Sequence, residues 1–275
     1  MAFPAYMTAS EKLAYVGLRV FVGLVLLFLI APIIAIMPLS FNSESFFSYP
    51  MPGYSLKWYE DFFFNDRWQG SLRMSIMVAL ATTCLATFLG TLAALGLSRS
   101  NIPGRAALMA VLISPMIVPL IIAAVGMFLF YSRLNLAGTM LGLILAHTAL
   151  ATPFVVITVT ATLSGFDRTL MRAGASLGAP PPTVFFKVVM PLILPGMISG
   201  ALFAFVISFD ESVVVLFLAS AEQRTLPKQM FSGIREMISP TLTAAATVLI
   251  IFSTLLLITV ELLRRRSERL RGITN

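Results

Sequence analysis

Charge is scarce in this sequence. Of its 275 residues only 11% are Asp, Glu, Lys or Arg, while 58% are apolar, and water-soluble domains carry charge on roughly a quarter of their residues. A soluble enzyme or a nucleic-acid-binding module is therefore excluded as a class, and the excess of basic residues, net +7, needs an explanation other than nucleic acid. Cysteine is reduced to Cys84 and histidine to His147, so neither a disulfide framework nor a thiolate metal centre is available. No Gly-x4-Gly-Lys-Ser/Thr sequence occurs, which excludes an ATPase of the P-loop kind. Strand-like alternation is absent too, leaving helices as the way to satisfy backbone amides in hydrocarbon.

What the chain has instead is long apolar runs. About 20 helical residues cross a bilayer core, and such runs fall near 17–39, 71–97, 106–130, 139–163, 191–218 and 241–263. The expectation is one all-α integral membrane domain over 1–275 with six spans. The first run follows Lys12 and Arg19 but is longer than a signal-peptide core of roughly 7 to 15 residues, so it reads as an uncleaved span. With the N-terminus inside, 12 of the 19 basic residues (Lys12, Arg19, Arg99, Arg105, Arg168, Arg172, Lys187, Arg264, Arg265, Arg266, Arg269 and Arg271) and 4 of the 12 acidic ones lie on the inner side. That bias predicts both termini in the cytoplasm and attraction to anionic lipid.

Local signals refine the picture. Residues 40–70 are crowded with rings, among them Phe41, Phe46, Tyr49, Trp58, Tyr59, Phe62 and Trp68, predicting an aromatic belt and a short interfacial helix after Ser55. Pro115 and Pro119 should kink or end the third span, Pro153 the fourth, and Pro191 and Pro195 the start of the fifth. Gly196, Gly200, Ala204, Ser208 and Ser212 recur every four residues, a small-residue stripe for close helix packing. Between the fourth and fifth spans, residues 164–190 alternate helix formers and breakers; two short helices with a sharp turn at Gly178-Ala-Pro-Pro-Pro182 are expected, Thr183 capping the second. Glu261 stands three and four residues before Arg264 and Arg265, an ion-pairing spacing.

Two carboxylates stand late in the fifth span. Asp210 and Glu211 follow Ser208 and Phe209, and a charge in a spanning helix costs at least ~2.5 kcal/mol at the bilayer centre. At about 100° per residue, Glu211 falls near the Ser208 side and Asp210 nearly opposite, toward Phe203. At least one is a candidate for lining a path that favours cations, against helix-to-helix hydrogen bonding or simple solvation. His147, near Thr148 and Thr152, reads as a buried imidazole with its polar atoms satisfied rather than a proton relay. No catalytic or metal-ligating set is apparent.

The inner loop carries a resemblance. Arg172-Ala173-Gly174-Ala175-Ser176-Leu177-Gly178, followed by Val188, Met190 and Pro191, resembles the EAA loop of binding-protein-dependent ABC importer permeases, whose pattern is E-A-A, three residues, G, nine residues, I-x-L-P. Ala173, Gly178 and Pro191 match in register; Arg172 replaces the acid and Gly174 the second alanine. Trp58-Tyr59, Ser208-Phe209-Asp210-Glu211, Thr225-Leu226-Pro227, Met230-Phe231-Ser232 and Ile238-Ser239-Pro240 resemble the polyamine-type permeases within that family. The resemblance implies a type I permease bundle in a bacterial inner membrane, with Arg172, Ala173, Gly174, Gly178 and Pro191 in the ATPase-coupling segment and Ser208, Phe209, Asp210 and Glu211 as substrate-path candidates. It further implies a second homologous permease, two cytoplasmic ATPase subunits holding ATP and Mg, and an extracytoplasmic binding protein; the cargo would be a polyamine such as spermidine or putrescine, or else an amino-acid derivative.

Overall fold

The computed structural model describes residues 8–98, 102–165, 167, 169–236 and 238–270. Arg99, Arg168 and Arg271 of the inner charge count lie outside the described residues, and the side chains of Arg264 and Arg265, expected to pair with Glu261, lie outside the described side chains. The described chain is helical: α1 (Ala9–Leu39), α2 (Lys57–Phe64), α3 (Asp66–Leu97), α4 (Arg105–Ile117), α5 (Leu120–Arg133), α6 (Met140–Ser164), α7 (Thr169–Ser176), α8 (Pro181–Val184), a π turn (Phe185–Val189), α9 (Met190–Asp210), α10 (Val213–Leu218), α11 (Leu226–Glu236) and α12 (Pro240–Leu270). Five helical stretches are long and apolar enough to cross a membrane alone, and the bent pair α4 and α5 raises the number to six. Six spans return the chain to the side on which it began.

Helix starts follow side-chain chemistry. Thr8 and Glu11 form a reciprocal capping box at α1, Asn65 accepts from the Arg67 amide at α3 and Thr139 from the Gly142 amide at α6, each meeting a backbone donor that the helix cannot. The prolines act unequally. Val118 and Pro119 are extended, with ψ of 131° and 127°, as expected for a residue before proline, and α4 and α5 meet there at 105°. The third span is thus two helices, and of the two prolines expected to kink or end it, Pro119 is the one at which the first helix ends. Pro115 stays inside α4; the Ser114 hydroxyl donates to the Val111 carbonyl at 2.8 Å, the acceptor that Pro115 has no amide to reach. Pro191 is accommodated by the π turn just before it, in which the Met190 amide donates to Phe185, a widened turn that moves the i−4 carbonyl off the proline ring. Residues Pro181–Asp210 consequently run as one candidate span, and the second loop helix merges into the fifth span instead of standing apart. Its cap is Pro180, with Pro181 at the first helical position; Thr183, lying inside, is not the cap.

The bundle core is the meeting of α3, α6 and α9. Gly196, Gly200, Ala204 and Ser208 are all buried. A Cβ on Gly200 would lie 2.7 Å from Thr158 Oγ1 and 3.0 Å from Val155 Cα, and one on Gly90 would lie 2.7 Å from Val155 Cβ. Small residues let these backbones approach, which in lipid is where packing energy comes from. Ser212, the fifth member of the stripe, lies beyond the end of α9, just before α10. The helix expected to run to 218 stops at Asp210, and α10 packs on α5 and α6. By contrast α1 buries none of its residues.

The outer segment is tied rather than draped. The Trp58 indole donates to the Asn42 carbonyl at 2.6 Å, Asn42 Nδ2 to Phe46 O at 2.8 Å, and Ser40 and Tyr59 share a 2.6 Å hydrogen bond. The interfacial helix is α2. Phe62 and Trp68, expected in the belt, are instead buried against each other, with ring centroids 5.5 Å apart, in a cluster with Phe209, Leu226 and Leu242. The Thr241 hydroxyl donates to Asp61 at 2.8 Å, holding α2 to α12.

The seam predicts a contrast between two glycines. Gly200→Leu should destabilise the folded protein by about 1–3 kcal/mol through overpacking, whereas Gly126→Leu, where a Cβ meets nothing within 4 Å, should leave thermal stability in detergent nearly unchanged.

Candidate functional site

Two regions carry the chemistry: the break after α9 at the outer side and the loop between α6 and α9 at the inner side. At the outer break the two carboxylates part. Asp210, the last residue of α9, is exposed, as is Phe203 seven residues earlier, and Phe203 stacks on Phe154 of α6 with centroids 6.3 Å apart. Glu211 is extended, with ψ of 117°, and its side chain turns inward to 8% exposure. Its Oε1 accepts from the Val214 amide at 2.9 Å, at the start of α10. The other end of α10 is met by Lys228, whose Nζ donates to the carbonyls of Ala219 and Ser220 at 3.1 and 3.0 Å. An anion at the N-terminus and a cation at the C-terminus are the arrangement that the backbone dipoles favour. Burial, with Arg224 adding to it, pulls the Lys228 ammonium below the ordinary lysine range. Ser75 accepts from the Leu226 amide at 2.7 Å, so the start of α11 is fastened to α3. Lys228 gave no motif in the sequence; its role follows only from the fold bringing it back to α10.

Of the other two path candidates, Ser208 and Phe209 are buried. Phe209 lies against Phe205 and Phe252, with centroids 5.6 Å apart in both pairs, and serves packing against α12. Ser208 Oγ forms a 2.9 Å hydrogen bond with His147 Nδ1 across the seam between α6 and α9. His147 is 1% exposed, and its Nε2 meets no partner among the described residues, so the imidazole expected to be satisfied is satisfied at one nitrogen. An unmet buried polar atom costs about 1–3 kcal/mol.

At the inner side, Asp167 accepts from the Thr169 amide at 2.8 Å and from its hydroxyl at 2.6 Å, starting α7. These bonds, with Arg172 close by, hold the Asp167 carboxyl below the usual carboxylate range. Helix α7 presents Leu170, Met171, Arg172 and Ala173 to solvent, and Leu177 is 87% exposed. Gly178 has φ of +78°, a left-handed conformation that costs other L-residues roughly 1–2 kcal/mol; the Ala179 amide closes the turn onto Gly174 O at 3.1 Å. Gly174 has a reason of its own, since a Cβ there would lie 3.2 Å from Val184 Cγ2, where α7 packs on α8. The loop thus folds back against the bundle and lines an open-mouthed cavity of about 560 Å³ with Leu95, Leu163, Met171, Arg172, Val184 and Phe185. Pro191 lies in the first turn of α9. No group of three His, Cys, Asp or Glu side chains capable of holding a metal occurs among the described residues.

A bundle of this helix order, with a folded loop hanging from the inner ends of two central spans, is that of a type I ABC importer permease. The structure aligns with the crystal structure of a bacterial ABC transporter involved in the import of the acidic polysaccharide alginate at a TM-score of 0.74 and 15% identity, covering 95% of this chain and 99% of that one. An amino acid ABC transporter aligns at 0.57 and 14% identity over 77% of this chain and 96% of that one. Residues 86–270 match the family of binding-protein-dependent transport system inner membrane components, and the chain belongs to that family. Among curated relatives it is 32% identical over 248 residues to the spermidine/putrescine transport system permease protein PotC of Haemophilus influenzae, spanning 90% of this chain and 96% of the relative. It is 31% identical over 230 residues to the putrescine transport system permease protein PotI of Escherichia coli, spanning 81% and 82%. The protein is therefore a multi-pass membrane permease, the transport component of an importer.

The bracket around α10 yields a test. Glu211→Ala should destabilise the protein by about 1 kcal/mol through the lost cap, and Glu211→Gln, which keeps an acceptor oxygen, should recover much of it; thermal denaturation in detergent reads both.

Proposed function

We propose that this chain is one of two permease subunits of a polyamine importer in a bacterial inner membrane. Solute arrives on an extracytoplasmic binding protein and crosses by alternating access, driven by two cytoplasmic ATPase subunits that carry ATP and Mg. The observation that carries the substrate class is the similarity to PotC and PotI along nearly the whole chain. The geometry supports it: a polyamine is a flexible chain of cationic amines, and the outer end of α9 offers an exposed carboxylate, Asp210, on the helix face that carries the Phe203–Phe154 ring pair. A carboxylate attracts the ammonium and an aromatic face accepts it. Asp210 is the solute-facing group of the two, while Glu211 is engaged in holding α10.

Coupling runs through α7 and the Gly178 turn. The exposed Leu170, Met171, Arg172 and Leu177 make an apolar patch with one cation, suited to a seat on the ATPase. Ala173, Gly174, Gly178 and Pro191 keep that helix in place: the first two lie in it, Gly178 permits the turn, and Pro191 lies in the first turn of α9, just after the π turn.

Three experiments test this reading. In the reconstituted complex with its binding protein, spermidine or putrescine should stimulate ATP hydrolysis and uptake; stimulation by a different solute alone would keep the importer and discard the polyamine. Asp210→Asn should lower polyamine uptake about tenfold with assembly intact, the equivalent of ~1.4 kcal/mol. A Gly178→Pro variant cannot adopt φ of +78° and should separate ATP hydrolysis from uptake; normal uptake would remove the loop from the coupling route.

A further inference from the structure

Across the seam of the bundle lies a buried polar layer. Val78 and Leu143 share one core cluster with Val214, while Ala86, Ala151 and Ala204 share another. One helical turn from each alanine, between these two apolar layers, stand Thr82, His147 and Ser208, at 0%, 1% and 4% exposure. Only the His147–Ser208 hydrogen bond joins side chains within it; Thr82 Oγ1 and His147 Nε2 have no partner among the described residues. An apolar side chain at 147 would avoid leaving a buried nitrogen unmet. What the imidazole supplies that such a residue cannot is a directional bond to Ser208.

That bond stands where direction is otherwise missing. Below it the seam between α6 and α9 is made by Gly196, Gly200 and Ala204, which fix how close the helices come but offer no side-chain hydrogen bond across it. On its other side, α9 meets α12 through the rings of Phe205, Phe209 and Phe252, contacts that tolerate sliding. Ser208 is two residues before Asp210 and three before Glu211. Each residue turns the helix by about 100°, so a small rotation there would carry Asp210 off the Phe203 face and pull Glu211 from the Val214 amide.

We propose that His147 is a positioning residue for solute recognition: through Ser208 it sets the rotation and height of the end of α9, and so the direction of Asp210. This rests on the reading of Asp210 as the contact for a cationic solute. It gives the buried face of α6 at His147 a share in specificity.

The test is polyamine uptake by the full importer in proteoliposomes, normalised to assembled complex, across His147→Leu, His147→Asn, His147→Gln, Ser208→Ala, the Leu/Ala double variant and Asp210→Asn. His147→Leu and Ser208→Ala should each raise the half-saturating polyamine concentration about three- to tenfold, as expected for a lost interhelical hydrogen bond, and the double variant should be no worse than either. His147→Asn, whose amide takes the place of Nδ1, should return to within about twofold of the parent, while His147→Gln, which extends toward Nε2, should not. Equal impairment of the Asn and Leu variants overturns the proposal, because a merely structural role would not distinguish them from a cavity. Should His147→Leu fail to assemble, Ser208→Ala, smaller by one oxygen, carries the same test. Loss in Asp210→Asn with parental behaviour in Ser208→Ala overturns the positioning role alone, and parental behaviour in Asp210→Asn overturns the carboxylate reading together with it.

Discussion

A backbone amide in hydrocarbon has no water to turn to, and that constraint governs the places within the spans where this chain departs from a regular helix. At the break between α4 and α5, the Val118 amide still reaches Ser114 O at 3.1 Å, and the helix beyond Pro119 resumes with Ile122 and Ala123 bonded back to Pro119 O. Before Pro191 the ladder widens to a π turn and then closes again. After Asp210, the Glu211 carboxylate and the Lys228 ammonium take the ends of α10. The same demand therefore produces a hinge, a continuous helix or a capped break, according to which side chains lie within reach.

The small-residue seam converts this backbone economy into a site. Because α9 approaches α6 so closely at Gly196 and Gly200, the Thr158 and Thr162 hydroxyls of α6 at that contact turn back to carbonyls of their own helix, and it is at Ser208 that a side chain of α6, His147, bonds across. The contact with the imidazole of α6, the end of α9 and the parting of the two carboxylates thus fall within the four residues from Ser208 to Glu211. Polar groups in a membrane interior are costly; here they are concentrated where the fifth span ends.

Much of this was legible beforehand. Apolar run lengths located the spans, and the inner loop announced its turn through Gly178 and three prolines. The burial of Glu211 and exposure of Asp210 agree with a 100° rotation applied to the stripe. What the runs could not reveal was continuity: residues 191–218 carry no charge apart from Asp210 and Glu211, yet the helix ends at Asp210, where Glu211 gains a backbone partner by leaving it. Likewise Pro119 and Pro191 look alike in sequence, and only the local backbone decides that the first turns the chain by 105° while the second is absorbed. Phe62 and Trp68 look like interfacial rings but are buried because α12 and α9 close over them, a tertiary fact with no local signature. Lys228 was silent for the same reason.

The continuity of the fifth span bears on how an importer of this kind would work. Residues 181–210 form 30 helical residues, about 45 Å at 1.5 Å per residue, so one element reaches from the inner loop to the outer carboxylate. Its lower end joins α7 through a residue with positive φ, Gly178, and its upper end joins α10 through extended Glu211. Between those joints the close seam with α6 resists bending, since packed interiors transmit displacement more readily than they absorb it. If an ATPase displaces α7, the movement would emerge at Asp210 as a shift of the whole rod against α6, and among the described residues the side-chain hydrogen bonds it would strain include the one between His147 and Ser208 and that of Glu211 with the Val214 amide. The polar layer would then share in the cost of changing state, and the two joints would be where the chain gives.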